Sequence, residues 1–484
     1  MARVDHLKAT TARLYPTADE RKRYVCELLW GDRVEVLSEA DEEGRIRVRA
    51  RGHQGFVEQS ALGGSSLLEL YFIDVGQGDG VLIRTPDDRH ILVDGGYKRA
   101  AQPSGKNAAD FVDWKFVRDY GRKAITLDAM ISSHNDTDHY GGLWDLLNPD
   151  PAAQRELDAT SVEVKAFYHA GLSWLKDATH SRFLGRKQRS HLIDLLEDEE
   201  SLRRWLAPDA PLRLQGEWAE FLRCVERHGC PVRRLHHRIG YLPGFEPSAG
   251  QASVRVLGPV DAAVDGMIGL KSLGTDSQNT NGHSVLLRVD YGAVRVLLTG
   301  DLNARSQASL MQHYAGRRLE FASDVVKACH HGSDDCSFEF LESIGAGATV
   351  ISSGDAESHG HPRPRVVAAS ALCGHVRVER DQVVTPLVYS TEIARSYRLG
   401  KVSGLMDPSQ RRMPRWADHV VEAGEVMAGA LRPKRRTRRL GSTLVVTGLV
   451  YGLVNVRTDG RRIVCATLNE GSQRWHVEEF ESRF

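Results

Sequence analysis

The stretch Ile131–Leu143, ISSHNDTDHYGGL, places two histidines and two aspartates (His134, Asp136, Asp138 and His139) within six residues, after a short apolar run and before paired glycines. On an extended or turning backbone, residues two apart project to one side. His134 and Asp136 are therefore placed to hold one ion, while Asp138 and His139 turn toward a second. Imidazole and carboxylate together suit zinc, manganese or iron. A catalytic metal site keeps coordination positions open and draws its other ligands from elsewhere in the chain. A polar Asx-type turn would need only one of these side chains.

Further ligand types recur at the ends of apolar runs. Asp94 ends HILVDGG, Asp301 ends VRVLLTGD, and His330 and His331 follow DVVKAC. Each would sit at the C-terminal edge of a strand, where sites in α/β proteins collect. Taken singly, an Asp before Gly is an ordinary turn and a terminal His an ordinary cap. Their recurrence beside Ile131–Leu143 makes them a candidate cage.

These stretches carry a resemblance. SHNDTDHYGG with LVDGG, LLTGD and HHGS resembles the metallo-β-lactamase fold. The branch most resembled is the soluble domain of the competence-type DNA-uptake channel proteins. Three segments carry that similarity: YFIDVGQGDGVLIRTPDDRHILVDGG, then NTNGHSVLLRVDYGAVRVLLTGD, then VVKACHHGS followed by HGHPRPRVV. The likeness covers about residues 67–375, loosely across 150–250. The wider family writes H-x-H-x-D-H; here Asp136 stands at the second histidine, a departure typical of this branch and of related phosphodiesterases. It adds a hard carboxylate and shifts preference toward manganese, with zinc retained.

The resemblance implies two divalent ions, zinc or manganese, held by His134, Asp136, Asp138 and His139, with Asp301 bridging them. It implies a histidine from HHGS, His330 preferred over His331. It also implies one more histidine, His283 in NGHSVLL or, second, His169 in AFYHAGL, with Asn281 close to the same place. Asp94 would support the ligands from behind or approach a metal. Asp138 and His361 are the candidate catalytic residues, His361 as a hydrogen-bond donor to a phosphate oxygen or a leaving-group acid.

The rest of the chain sets bounds. Its 484 residues suffice for about two to four domains. Lys+Arg and Asp+Glu both number 64, which excludes a uniformly basic nucleic-acid surface. There is no apolar run of the roughly 18 residues that a membrane span needs, and the N-terminal residues lack a secretory apolar region. The seven cysteines form no CxxC pair, so reduced thiols in a cytoplasm are expected.

The expected fold is α/β: a metallo-β-lactamase αββα sandwich at 67–400 with a helical insertion at about 150–250. A small β-barrel at 1–64 precedes it, where residues 24–62 alternate apolar and polar and resemble a bacterial Src-homology-three-like domain, a candidate protein-docking module. A β-rich extension at 401–484 follows, with the basic run RPKRRTRR at 432–439 and closing hairpins.

The expected function is a metal-dependent hydrolase, foremost a phosphodiesterase or nuclease in which two metals activate water, with nucleic acid or another phosphodiester as partner. The alternatives are a small-ester hydrolase of phosphorylcholine-ester or lactone type, and a binding scaffold without catalysis.

Overall fold

The computed structural model describes residues 3–41, 43–102, 105–354, 360–391, 398–407, 409, 411–425, 434–442, 444–447, 453–469 and 471–484. The described residues between 3 and 62 form a four-stranded antiparallel sheet and a two-stranded one. Leu7, Leu14, Leu28, Val34, Ile46, Val48 and Val57 make their small core.

Two larger sheets lie face to face. One has nine strands, in the order 232–234, 167–169, 129–132, 90–93, 81–84, 68–73, 453–458, 462–469 and 474–481. The other has six, in the order 253–258, 286–291, 294–298, 325–327, 348–351 and 387–390. Period-2 alternation decides which face each side chain takes. Along Leu68–Ile73, Leu68, Leu70 and Phe72 enter the core between the sheets, while Tyr71 and Ile73 enter the core on the far face. Along Val294–Leu298, Val294, Val296 and Leu298 face inward and Leu297 outward.

Helices cover both outer faces. Ala108–Trp114, Thr137–Leu147, Glu199–Leu206 and Gly216–His228 pack on the nine-stranded sheet. Ala304–His313 and Phe338–Ile344 pack on the six-stranded sheet. The layers are therefore helix, sheet, sheet, helix, the αββα sandwich expected from the sequence.

Two features differ in detail from the sequence reading. The region 150–250 is only partly helical: Phe167–His169 and Val232–Arg234 extend the nine-stranded sheet in parallel beside Ala129–Ser132. The closing strands do not stand apart from the core. Leu453–Thr458 pairs antiparallel with Leu68–Ile73, and Arg462–Asn469 and Arg474–Glu481 continue the same sheet. Of the basic run, 432 and 433 lie outside the described residues, and Lys434–Arg439 pairs with Val420–Glu425. Among the described residues, no helix is long and apolar enough to cross a membrane.

For the site, the parallel strands matter most. In the first sheet 90–93, 129–132 and 167–169 run parallel; in the second 294–298, 325–327 and 348–351 do. Their C-terminal ends deliver Asp94, the His134–His139 loop, Asp301 and His330–His331.

Candidate metal centre

Asp136 precedes the helix Thr137–Leu147, so Asp138 and His139 lie in its first turn. Paired glycines follow because this helix runs against the loop after Asp94: a Cβ on Gly142 would stand 2.2 Å from the Gly95 carbonyl oxygen. Across the sandwich, Asp301 follows Val294–Leu298, and its backbone N–H donates to Ser284 Oγ at 3.0 Å. His330 and His331 sit on a tight turn with φ of 44° and 52°, a left-handed pair that turns the two rings apart.

The ring of His139 stands at the centre. Its Nδ1 is 2.9 Å from Asp94 Oδ2, and its Nε2 is 3.3 Å from Asp301 Oδ2 and 4.0 Å from Asp138 Oδ1. His331 repeats the arrangement: Nδ1 is 3.3 Å from Asp79 Oδ1, and Nε2 is 3.1 Å from Asp301 Oδ2 and 3.6 Å from Asp138 Oδ2. His134 presents Nδ1 to Ser133 Oγ at 3.1 Å and Ser284 Oγ at 3.3 Å, while its Nε2 is 3.7 Å from Asp136 Oδ2. Lys327 is buried, paired with Asp79, 3.7 Å from Asp301 Oδ1, and donates to the Gly300 carbonyl at 3.0 Å.

Among the described residues, four overlapping groups have ligand atoms mutually within 4.8 Å: His134, His139 and Asp301; Asp138, His139 and His331; Asp79, Asp94 and His139; Asp79, Asp301 and His331. The fit to a metal rests on unsatisfied atoms. The Nε2 atoms of His134, His139 and His331 and Asp301 Oδ1 are all buried without a hydrogen-bond partner. A buried polar atom left so is costly unless something occupies its lone pair. Imidazole nitrogens and carboxylates converging from both sheets suit a divalent cation of the zinc or manganese kind.

The charge balance points the same way. Burial disfavours a charged imidazole at His139, yet the carboxylates of Asp301, Asp94 and Asp138 outweigh it and hold its pKa well above the usual value. His331 is raised likewise by Asp301 and Asp79. Burial wins at His134, which is lowered to about 3 and stays neutral, as a metal-binding nitrogen must. Burial also raises the Asp79 carboxyl, but Lys327 and His331 prevail and hold it at about 2. Asp136, whose side chain is 35% exposed, is pushed up to about 7 by burial and the Asp138 charge. The centre thus demands positive charge, which a divalent ion supplies.

The expected residues are distributed unevenly. His134, Asp138, His139 and Asp301 converge, with Asp136 at the rim and Asp94 behind His139. The order of the HHGS histidines is reversed: His331 is buried among Asp79, Asp138 and Asp301, whereas the His330 side chain is 25% exposed, with Nε2 3.8 Å from Asp301 Oδ2 and 3.2 Å from Asn281 Nδ2. His283 is turned away. Its Nε2 donates to the Lys271 carbonyl at 2.9 Å, and it lines a cavity with Gly258, Leu273, Leu286 and Leu310. The next residue, Ser284, is the one that meets His134. His169 is also outside the metal-ligating groups: it is buried, and its Nδ1 accepts the Gly171 N–H at 3.1 Å. The His361 ring stands beside the centre, 5.7 Å from His330 and 6.4 Å from His331. Sequence reasoning missed Asp79; its signal was an acid between glycines in GQGDG, just before the apolar strand Val81–Arg84.

Residues 73–311 match the family profile of the Metallo-beta-lactamase superfamily. The chain carries a metallo-β-lactamase superfamily domain. The matched span contains the His134–His139 loop and Asp301; His331 lies past its end. An 87-residue stretch is 38% identical to the competence protein ComA of Neisseria gonorrhoeae, covering 18% of this chain and 12% of that protein. Among solved structures, a protein described as a metal-dependent hydrolase from Parabacteroides distasonis is 9% identical, with 72% of this chain and 100% of that one covered at a TM-score of 0.28. A mutant of the β-hydroxylase CmlA is 12% identical, with 65% and 51% covered at a TM-score of 0.29.

Proposed function

We propose that this metallo-β-lactamase domain is a metal-dependent hydrolase of phosphodiesters, acting as a phosphodiesterase or nuclease with two divalent ions, zinc or manganese. One observation carries the reading: three buried, unpartnered imidazole Nε2 atoms converge with Asp301 and Asp138 from the ends of both sheets. His134, Asp136 and Asp301 would hold one ion, and Asp138, His139, His331 and Asp301 the other. When bound, such ions polarise a phosphoryl oxygen and lower the pKa of a coordinated water.

The chain's own residues then have separable tasks. Asp94 accepts from Nδ1 of His139, and the Ser352 carbonyl accepts from Nδ1 of His331 at 3.2 Å with the Asp79 carboxylate 3.3 Å away, which fixes each ring with Nε2 free to bind. Ser133 and Ser284 do the same for His134. Lys327 offsets the charge of Asp79 and Asp301 from beneath. His361, whose ring lies 5.7 Å from His330 and 6.4 Å from His331, would give a proton to a leaving oxygen. The phosphodiester choice is supported by Asp136 at the family's second histidine and by the likeness to a competence protein.

The test is a manganese- and zinc-dependent cleavage assay on plasmid, single-stranded DNA, RNA and bis(p-nitrophenyl) phosphate. It is run with wild type, His134→Ala and Asp301→Ala. Metal-dependent cleavage of at least one substrate, lost in both variants, is the expected result. A wild type that binds metal but cleaves none of the four would overturn it in favour of small-ester hydrolysis. Metal binding unaffected by either substitution would remove the enzyme reading altogether.

A further inference from the structure

We infer that Arg182, stacked on Trp174 at the rim of the metal centre, is an anion-binding residue that takes a phosphate group of the substrate. The inference rests on the phosphodiester reading above and names a residue outside the metal cage that serves it.

Its place follows from the sheet. The strand Phe167–His169 runs parallel to Ala129–Ser132, with Ser132 opposite His169, so Ala170–Trp174 leaves the same sheet edge as the His134–His139 loop. The chain then folds back on itself: Leu175 and Phe183 exchange backbone hydrogen bonds of 2.9 and 3.0 Å, which returns Arg182 to Trp174. The guanidinium carbon lies 3.7 Å from the centre of the Trp174 ring.

The platform is fixed. Trp174 is half-buried, and its carbonyl accepts the Gln215 N–H at 3.0 Å. The neighbouring Ser173 Oγ accepts from Trp218 Nε1 at 3.0 Å. Trp218 packs against Tyr140 at 5.1 Å, directly after the ligand His139. Arg182 Nη1 is 3.8 Å from where a Cβ on Gly216 would stand, at the start of the helix Gly216–His228, which packs against the ligand-bearing helix Thr137–Leu147. The Arg182 charge is felt by both Asp136 and Tyr140.

Arg182 is exposed, and among the described residues it makes no ion pair and no hydrogen bond. The contrast with Lys98 is direct: that ammonium lies 4.2 Å from the Trp144 ring, but Glu217 pairs with it. A guanidinium stacked by its face keeps its donor edge free, and that edge matches two phosphate oxygens. Stacking also limits its freedom, so less entropy is lost when an anion binds. Arg182 and the metal ligands would thus grip different parts of one polyanion.

The experiment compares the metal-loaded wild type with Arg182→Ala, Arg182→Lys and Trp174→Ala in two arms. In the first, calorimetry reads binding of inorganic phosphate, which needs no turnover. Arg182→Ala should weaken it ten- to a hundredfold with metal content retained, and Arg182→Lys should recover part. Trp174→Ala and Arg182→Ala should combine less than additively, because both disable one device. In the second arm, binding of a short oligothymidylate is followed against salt. Loss of one phosphate contact should reduce the slope of log affinity against log salt by about 0.7.

Equal phosphate binding by wild type and Arg182→Ala, or no phosphate binding by wild type, would overturn the inference. So would an unchanged salt slope. Failure of the wild type to cleave any phosphodiester would instead refute the proposed function, and the phosphate arm would still read Arg182.

Discussion

Arg457 and Asp32 form a buried ion pair that ties the C-terminal strands to the first sheet of the chain. Arg457 Nη2 lies 2.8 Å from Asp32 Oδ1, and both side chains are at most 5% exposed. The same guanidinium donates to the Leu29 and Trp30 carbonyls at 3.2 and 2.6 Å and stands 3.8 Å from Glu69 Oε2 in the strand Leu68–Ile73. Three distant segments therefore share one cation. Removing one partner of a buried pair leaves the other charged and unsolvated, at a cost of about 3–5 kcal/mol. Arg457→Ala should lower unfolding free energy in urea by that amount, and Asp32→Ala by a similar one. A change below about 1 kcal/mol in both would show that the three segments are held by apolar packing alone.

The same network makes stability depend on acid. Glu69 is fully buried, which by itself would raise its carboxyl, but Arg457, Arg84 and Lys115 outweigh burial and hold it at about 2 against an ordinary 4.5. A carboxylate depressed by folding stabilises the native state above its unfolded pKa, and the gain disappears as pH falls through the folded value. The gap between 4.5 and about 2 corresponds to roughly 3 kcal/mol, most of it gone by pH 3. The stability difference between wild type and Glu69→Gln, measured in urea, should be constant from pH 6 to 8. It should then shrink by roughly 2 kcal/mol between pH 5 and 3. A difference that stays flat to pH 3 would mean that Glu69 is not held ionised by its neighbours.

The His134–His139 loop and Asp301 were legible because each follows an apolar run and carries side chains with little other use at a strand end. Asp79 was not, since Gly-Asp-Gly reads first as a turn and its partners His331 and Lys327 are remote in sequence. The choice between His330 and His331 depends on backbone φ at both positions, which two adjacent histidines do not reveal. The strands Phe167–His169 and Val232–Arg234 are too short for alternation to show within a helix-rich region. The pairing of Leu453–Thr458 with Leu68–Ile73 joins segments remote in sequence, and local pattern does not record which strand a strand pairs with.

That left-handed turn leads to a direct comparison of the two histidines. His331 Nε2 is buried and unpartnered, whereas His330 Nε2 has Asn281 within 3.2 Å. His331→Ala should remove a ligand and lower metal content measured by elemental analysis, while His330→Ala should keep it. Asp79→Asn should weaken metal binding about 10- to 100-fold, since it loosens the ring rather than deleting a ligand. The opposite ranking of the two alanine variants would restore His330 as the ligand.

Gly142 offers the last test, because it connects packing to the centre through backbone alone. A methyl group there would stand 2.2 Å from the Gly95 oxygen and 2.9 Å from its carbonyl carbon, so neither side has a flexible tip that could move. Gly95 follows Asp94, and its N–H donates to the His139 carbonyl at 2.7 Å. Pushing this loop off the helix therefore separates Asp94 from His139 Nδ1, the contact that orients the central ring. Overpacking of this kind costs about 1–3 kcal/mol, and loss of the supporting carboxylate lowers metal affinity about tenfold or more. Gly142→Ala should show both effects, by urea unfolding and by metal titration. Gly229→Ala is the control: its φ of 79° disfavours a side chain through the backbone alone, and nothing lies within 4 Å of the added carbon. It should lose about 1 kcal/mol through backbone strain and bind metal as wild type does. If Gly142→Ala bound metal normally after paying the same stability cost, the Asp94–His139 contact would not depend on the close approach of helix and loop.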